Sequence, residues 1–170
     1  EEALESGREG AGQALSVVDR TVAEVGMGMG MALLGQNKEA EEMLTKTMDM
    51  VEERGMALIR GIIHPFKGIA VIGLGDMAGG EKVIFNGKEE SRKLNDAGGV
   101  ATADLVLGEI YTRMALGIDT PPLGVIMRNL PYVLKTVPFA AGKARKHLGV
   151  ALDHFRKVDA PSYIAWVLYD

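Results

Sequence analysis

The chain contains no cysteine among its 170 residues. A disulfide framework and a thiolate-ligated metal site are therefore excluded, and the absence fits a reducing compartment. Aromatic residues make up only 5%, with a single Trp. That disfavours a β-sandwich core, which draws on aromatic and β-branched side chains. Long apolar runs are missing: Val25 to Asn37 lacks charge for 13 residues and Gly68 to Gly75 for 8, both too short to cross a bilayer. There is no excess of positive charge; the net charge of −4 argues against general nucleic-acid binding. No Gly-x-Ser-x-Gly occurs, and no His-x-x-x-His or Glu-x-x-His pair stands at metal-ligand spacing. Nor is there an apolar signal core at the start, where the first ten residues are acidic and polar.

What is present points to packed helices. Glycine (22) and methionine (10) are abundant, and small or flexible side chains suit close helix–helix contact. Seven of the methionines lie between Met27 and Met56. The length is enough for one core, and the hydrophobic fraction of 47% and charged fraction of 25% are ordinary for a globular domain. Charge is uneven: residues 1–100 carry 11 bases and 17 acids, residues 101–170 carry 8 and 6. The basic surplus lies in Arg128, Lys135, Lys143, Arg145, Lys146, Arg156 and Lys157, and reads as a solvated helix face or a partner surface.

Three segments repeat one another: Ala32-Leu33-Leu34-Gly35, Ile72-Gly73-Leu74-Gly75 and Met114-Ala115-Leu116-Gly117. Each closes an apolar helical stretch with Leu-Gly, at spacings of 40 and 42 residues. The pattern predicts helical hairpins, an architecture that binds or regulates more often than it catalyses. In the first hairpin, about 11–54, the first helix has the stripe Leu15, Val18, Val22, Val25, Met29 and Ala32. Gly35 is its stop. The second helix has Ala40, Met43, Leu44, Thr47, Met48 and Val51. The second hairpin, about 57–94, contains Pro65, which predicts a kink, and places Val83, Ile84 and Leu94 inward. Asp96-Ala97-Gly98-Gly99 reads as a loop. The third hairpin, about 97–158, carries Ala103, Leu107, Ile110, Tyr111 and Met114, then Ala144, His147, Leu148, Ala151, Leu152, Phe155 and Val158. Between its helices lies an insertion at 118–138, with a short helix interrupted by Pro131. A last helix, 161–170, starts on Pro161, well suited to a first helical position, and carries Ile164, Ala165 and Leu168. It lacks a partner, so the chain is expected to be part of a longer multidomain protein, or to pair with another protomer through this open end.

The repeat register can be checked. Aligning Gly35 with Gly75 puts Gly28 on Gly68, Ala40 on Gly80 and Leu44 on Ile84, small residues where paired helices approach closely. The same alignment carried to Gly117 puts Ile110, not Gly108, at the small position of the third hairpin. These residues resemble tetratricopeptide-type repeats in a longer form of about 40 residues. Gly108-Glu109-Ile110-Tyr111, Pro121-Pro122-Leu123, Arg128-Asn129-Leu130, Pro138 to Ala144, and Ala144-Arg145-Lys146-His147-Leu148 through Ala165 resemble the C-terminal repeat region of class III adenylate/guanylate cyclases that carry an ATPase domain. The resemblance implies an all-α, right-handed superhelix serving as a regulatory tail. It transfers no catalytic residue, because neither the cyclase carboxylates nor the ATPase phosphate loop falls in this segment.

One motif competes with the repeat reading. Gly68 to Ala78 resembles a dinucleotide-binding start, an apolar run followed by Gly73-x-Gly75-x-x-Ala78, with Asp96 about twenty residues on. No β-branched strand follows before Asp96, and the register already explains Gly75 as a turn. Gly26-Met27-Gly28-Met29-Gly30-Met31 reads as tight helix packing rather than a membrane zipper. His147 reads as a packed core residue, while Glu41-Glu42 and Glu52-Glu53 read as exposed helix charges rather than an acid/base pair.

The expectation is a non-catalytic, cytoplasmic interaction or regulatory domain binding a protein, a peptide or other domains of its parent, with no cofactor, nucleic acid or membrane. Candidate contacts are Arg60, Lys67 and Arg113 on first helices, with Arg128 and Lys135 in the insertion. The alternative is a small-ligand sensor with a pocket under 118–138. An enzyme using Gly73–Gly75 is the third reading.

Overall fold

In the computed structural model, which describes residues 5, 8–10, 12 and 16–169, five successive helices begin 20 residues apart. They are α1 (Val17–Leu33), α2 (Asn37–Glu53), α3 (Ala57–Gly73), α4 (Met77–Lys93) and α5 (Ala97–Leu116). There follow α6 (Leu123–Arg128), α7 (Leu130–Thr136), a 3-10 turn (Val137–Phe139), α8 (Ala140–Lys157) and α9 (Pro161–Tyr169). The described residues include no strand.

The regular spacing comes from one turn used repeatedly. Gly35, Gly55, Gly75, Asn95 and Asp159 all adopt positive φ, from 51° to 97°. The residue after each donates its N–H to the carbonyl five residues back: Gln36 to Met31 and Met56 to Val51, both 2.9 Å, Asp76 to Val71 (3.2 Å), Asp96 to Ser91 (2.8 Å) and Ala160 to Phe155 (3.0 Å). This is the Schellman closure, which satisfies carbonyls that a helix end leaves open. Glycine enters the left-handed region freely, and Asn and Asp are the side chains that best tolerate it. The next helix is then started by a capping side chain where one is present. Asp76 accepts from Gly79 N–H at 2.8 Å and Asp96 from Gly99 N–H at 3.0 Å.

α1, α3 and α5 pack side by side, and α2, α4 and α8 each pair with one of them. α9 packs on α8. The main core joins Leu44, Val51, Ile63, Phe66, Ile84, Val106, Leu107 and Tyr111; a second cluster joins Ala101, Leu105, Ala151, Phe155 and Val167. Each large side chain so buried contributes roughly 1.5–3 kcal/mol. The close approaches recur at fixed positions. A Cβ on Gly28 would stand 2.5 Å from Leu44, on Gly68 2.3 Å from Ile84, and on Gly108 2.5 Å from Leu148.

Those contacts correct the third hairpin's alignment: Gly108, not Ile110, holds the small position. α5 is 20 residues long against 17 for α1 to α4, so its closing Leu116-Gly117 comes two residues late while its packing keeps step. Asp96-Ala97-Gly98-Gly99 is not a loop; α5 begins at Ala97. Gly99 is small because a Cβ there would lie 2.4 Å from Ser91 Oγ. α3 continues through Pro65 from Ala57 to Gly73, with Ile63, Pro65 and Phe66 buried.

Four expected core residues face solvent. Val18 and Val22 are exposed, because Thr21, Val25 and Gly28 form the packed side of α1; Leu94 and Val158 are exposed as C-cap residues. On α9 the buried side is Val167, with Ile164 half-buried and Ala165 and Leu168 outward. Leu15 lies outside the described residues, as do several others of the expected start of the first helix and Asp170.

Candidate functional site

The C-terminal ends of α1, α3 and α5 converge, and the segment after Gly117 folds back across them. α5 closes at Gly117, two prolines precede α6, and α6 and α7 are separated at Asn129, with Pro131 in the first turn of α7 where its missing N–H costs nothing. Asn129 ties this inserted segment to the α3–α4 turn. Its Oδ1 accepts from Met77 N–H at 3.2 Å, and its Nδ2 donates to the carbonyls of Gly75 and Val125, both at 2.8 Å.

A cleft of about 840 Å³ lies beneath, within the size range of small-molecule sites. Leu33, Ile69, Ile72, Ile110 and Met114 line one side and Val125, Ile126 and Val133 of the insertion the other; Asn37, Glu109, Arg113 and Asp119 bring polar groups. Three helix C-termini meet here, and each adds partial negative charge. Arg113, in the last turn of α5, offsets it while paired with Asp119 and with Glu109 at 3.2 Å.

The apolar face continues beyond the cleft. Val18, Val22 and Leu33 share one side of α1, and Leu58, Ile62 and Ile69 one side of α3. Val18, Val22, Leu58 and Ile62 are 52%, 56%, 62% and 39% exposed.

Behind the cleft lies a polar network that the sequence reading missed. Asp104, fully buried in the apolar run Ala101 to Gly108, accepts from Lys88 Nζ of α4 and His147 Nδ1 of α8, both at 2.5 Å. Burial pushes its carboxyl upward, but the hydrogen bonds from His147 and Lys88 outweigh burial and hold it below the ordinary carboxylate value. The His147 ring packs against Tyr111 with centroids 5.6 Å apart. Tyr111 donates to Glu81 at 2.5 Å, Tyr132 of α7 donates to the same oxygen at 3.1 Å, and Lys143 stands 3.7 Å from Glu81. Burial, reinforced by Glu81, raises both phenols above their usual value. The one signal in the sequence was Asp104 itself, the single charged residue inside the apolar run Ala101 to Gly108.

The candidate contact residues are dispersed. Arg60 pairs with Glu90 at 3.0 Å and Glu52 at 3.6 Å, and Lys67 with Glu41 at 4.0 Å, so both turn toward neighbouring helices. Arg113 lines the cleft; Arg128 lies beside the Gly75 turn, and Lys135 is exposed on α7. His147 is packed, as the sequence indicated, and is also hydrogen-bonded to Asp104. Gly68 to Gly73 is helical and Gly75 is a Schellman turn, so the strand required by a dinucleotide fingerprint is not there. Asp76 caps α4, and Asp96, the acid of that fingerprint, caps α5. Among the described residues no group of three His, Asp or Glu side chains is placed to hold a metal ion, and no helix is long and apolar enough to cross a membrane. No protein-family model matches the chain, and neither a curated protein nor a solved structure matches it significantly.

Proposed function

We propose that the chain is a non-catalytic binding domain of tetratricopeptide-like superhelical form, which receives an apolar polypeptide segment along the face of α1, α3 and α5. One observation carries the reading: the apolar row Val18, Val22, Leu58 and Ile62 leads into the cleft under the insertion. A row longer than the cleft suits an amphipathic helix laid in a groove, whose anchors recur every three or four residues. The resemblance of Gly108 to Tyr111, Pro121 to Leu123 and Pro138 to Ala144 to cyclase repeat tails suggests a regulatory role inside a larger signalling protein. Anisotropy titrations with a panel of labelled amphipathic peptides test the binding. Saturable binding weakened about tenfold by Ile62→Glu and by Met114→Glu is expected, since each puts a charge in an apolar contact. Binding indifferent to both substitutions overturns the reading. An adjoining cyclase catalytic domain in the full reading frame is the expected finding for the parentage.

The enclosure of one end by Val125, Ile126 and Val133 favours a second reading, a small apolar ligand held in the cleft alone. It predicts that medium-chain alcohols or fatty acids raise the melting temperature, that Met114→Glu abolishes the effect, and that Ile62→Glu leaves it intact.

A further inference from the structure

The insertion has two faces, and the cleft and its anchors use one of them. Leu123, Met127, Leu130 and Leu134 stand on the other, 73%, 59%, 37% and 67% exposed. Leu123 and Met127 share one side of α6, and Leu130 and Leu134 one side of α7, each pair four residues apart. Phe139, in the turn that follows, is 67% exposed. Single exposed leucines are common on protein surfaces, but several large apolar side chains left bare on one short, anchored segment mark a contact surface.

Charge identifies the partner. No Asp or Glu occurs between Asp119 and Asp153, whereas Arg128, Lys135, Lys143, Arg145 and Lys146 do. Lys143 is turned toward Glu81. Arg128 and Lys135 each follow a residue of the row directly and are exposed; Arg128 stands at the edge of this face, with its guanidinium beside the Gly75 turn. Long cationic side chains beside an apolar row can keep their charges at headgroup level while the apolar groups enter the acyl boundary. No carboxylate of this segment has to approach a negative surface. An acid-rich protein segment would meet the same charge, but the row of apolar side chains flanked by long cations and free of carboxylates has the composition of an interfacial membrane contact.

We propose that the outer face of the insertion docks on an anionic lipid bilayer. Leu123, Met127, Leu134 and Phe139 enter the interface, and Arg128 and Lys135 meet lipid phosphates. The contact is interfacial, since no described helix can span. Asn129 and Tyr132 hold the face in place from behind, so little ordering is required on docking. The surface lies away from the cleft, and the proposal does not depend on what the cleft binds.

Flotation of the chain with phosphatidylcholine vesicles containing about 30 mol% phosphatidylserine tests it, with phosphatidylcholine alone as control. Binding to the anionic vesicles at least about tenfold stronger than to the neutral ones is expected, weakening severalfold as salt rises from about 0.1 to about 0.5 M. Combined Leu123→Ser, Met127→Ser and Leu134→Ser should reduce binding about tenfold or more while the circular dichroism spectrum is unchanged. Combined Arg128→Gln and Lys135→Gln should reduce it severalfold. Absence of flotation with the anionic vesicles, or flotation indifferent to the triple substitution, overturns the proposal. So does self-association or binding of an acid-rich peptide that the triple substitution abolishes while vesicles never bind, because the face is then a protein interface.

Discussion

At the junction of the first and second hairpins, Met48 and Val51 of α2 join Ile63 and Phe66 of α3 in an apolar cluster. At the next junction, 40 residues along the repeat, Lys88 takes the place of Met48 and Asp104 that of His64, with His147 closing the group from α8. The hairpins that meet there are built alike, because the close approaches at Gly28, Gly68 and Gly108 recur at the same positions within them. The chemistry is opposite. A buried ion pair adds little net stability compared with well-packed apolar groups, but losing one partner leaves a stranded charge. The second junction therefore accepts only a neighbour with a carboxylate in the right place, whereas the first accepts any apolar shape that fits. The difference also locates the insertion: it is fastened to the charged junction through Tyr132 and Glu81.

The largest effect expected from breaking this contrast is at Asp104. Asp104→Ala strands Lys88 and should lower unfolding free energy by about 3–5 kcal/mol in urea denaturation. Converting the junction to the apolar kind, with Lys88→Met and Asp104→Leu together, should recover most of that loss. A double variant as unstable as the single one would show that the charges are not the cause. Next is Gly80→Ala in α4, whose Cβ would stand 2.5 Å from the Gly68 carbonyl oxygen. Backbone cannot yield as a side chain can, so a cost of about 1–3 kcal/mol is expected from overpacking. Gly26→Ala, with nothing within 4 Å, should instead stabilise by up to about 1 kcal/mol through helix propensity.

Asn129→Ala removes the tie between the insertion and the α3–α4 turn. It should cost about 1–2 kcal/mol through the unpaired Met77 N–H, and limited proteolysis should cut near Asn129 faster while α1 to α4 stay protected.

The smallest effect separates the junctions by pH. Burial holds His64 below its ordinary value, with Glu90 opposing and Arg60 and Lys67 adding to the depression. Its contribution is present above about pH 6.5 and is lost as pH falls below that value, because the unfolded chain then takes up the proton first. Asp104 behaves differently: its depressed carboxyl contributes above the ordinary carboxylate value and loses that contribution only in stronger acid, as pH falls through its folded value. Thermal melts between pH 7.5 and 5 should show a decline, and His64→Gln should flatten it. A decline of unchanged slope in that variant would place the titrating group elsewhere.

Much of the helical order is legible in the amino-acid sequence. The Leu-Gly steps at Gly35 and Gly75 marked real turns, since only a residue tolerant of positive φ closes a helix that way. The equivalent turns at Asn95 and Asp159 carried no glycine and were harder to see. Stripe reading assigned Val18 and Val22 to the core, because periodicity finds an apolar side but does not say whether another helix covers it. Repeat alignment stumbled at Gly108, because a turn displaced by two residues looked like a shift of the whole helix.

Local signals in the sequence thus determined the helices, most of their stops and the segment that interrupts the third hairpin. These are short-range matters of propensity, capping and backbone sterics. Only the tertiary structure decided that Lys88, Asp104 and His147 would meet, that Asn129 would bind the Gly75 turn, and that the insertion would cover a cleft on one side and leave a leucine row bare on the other. Those outcomes depend on which helix faces come together across 16 to 54 residues of chain, and neither spacing nor composition encodes that distance.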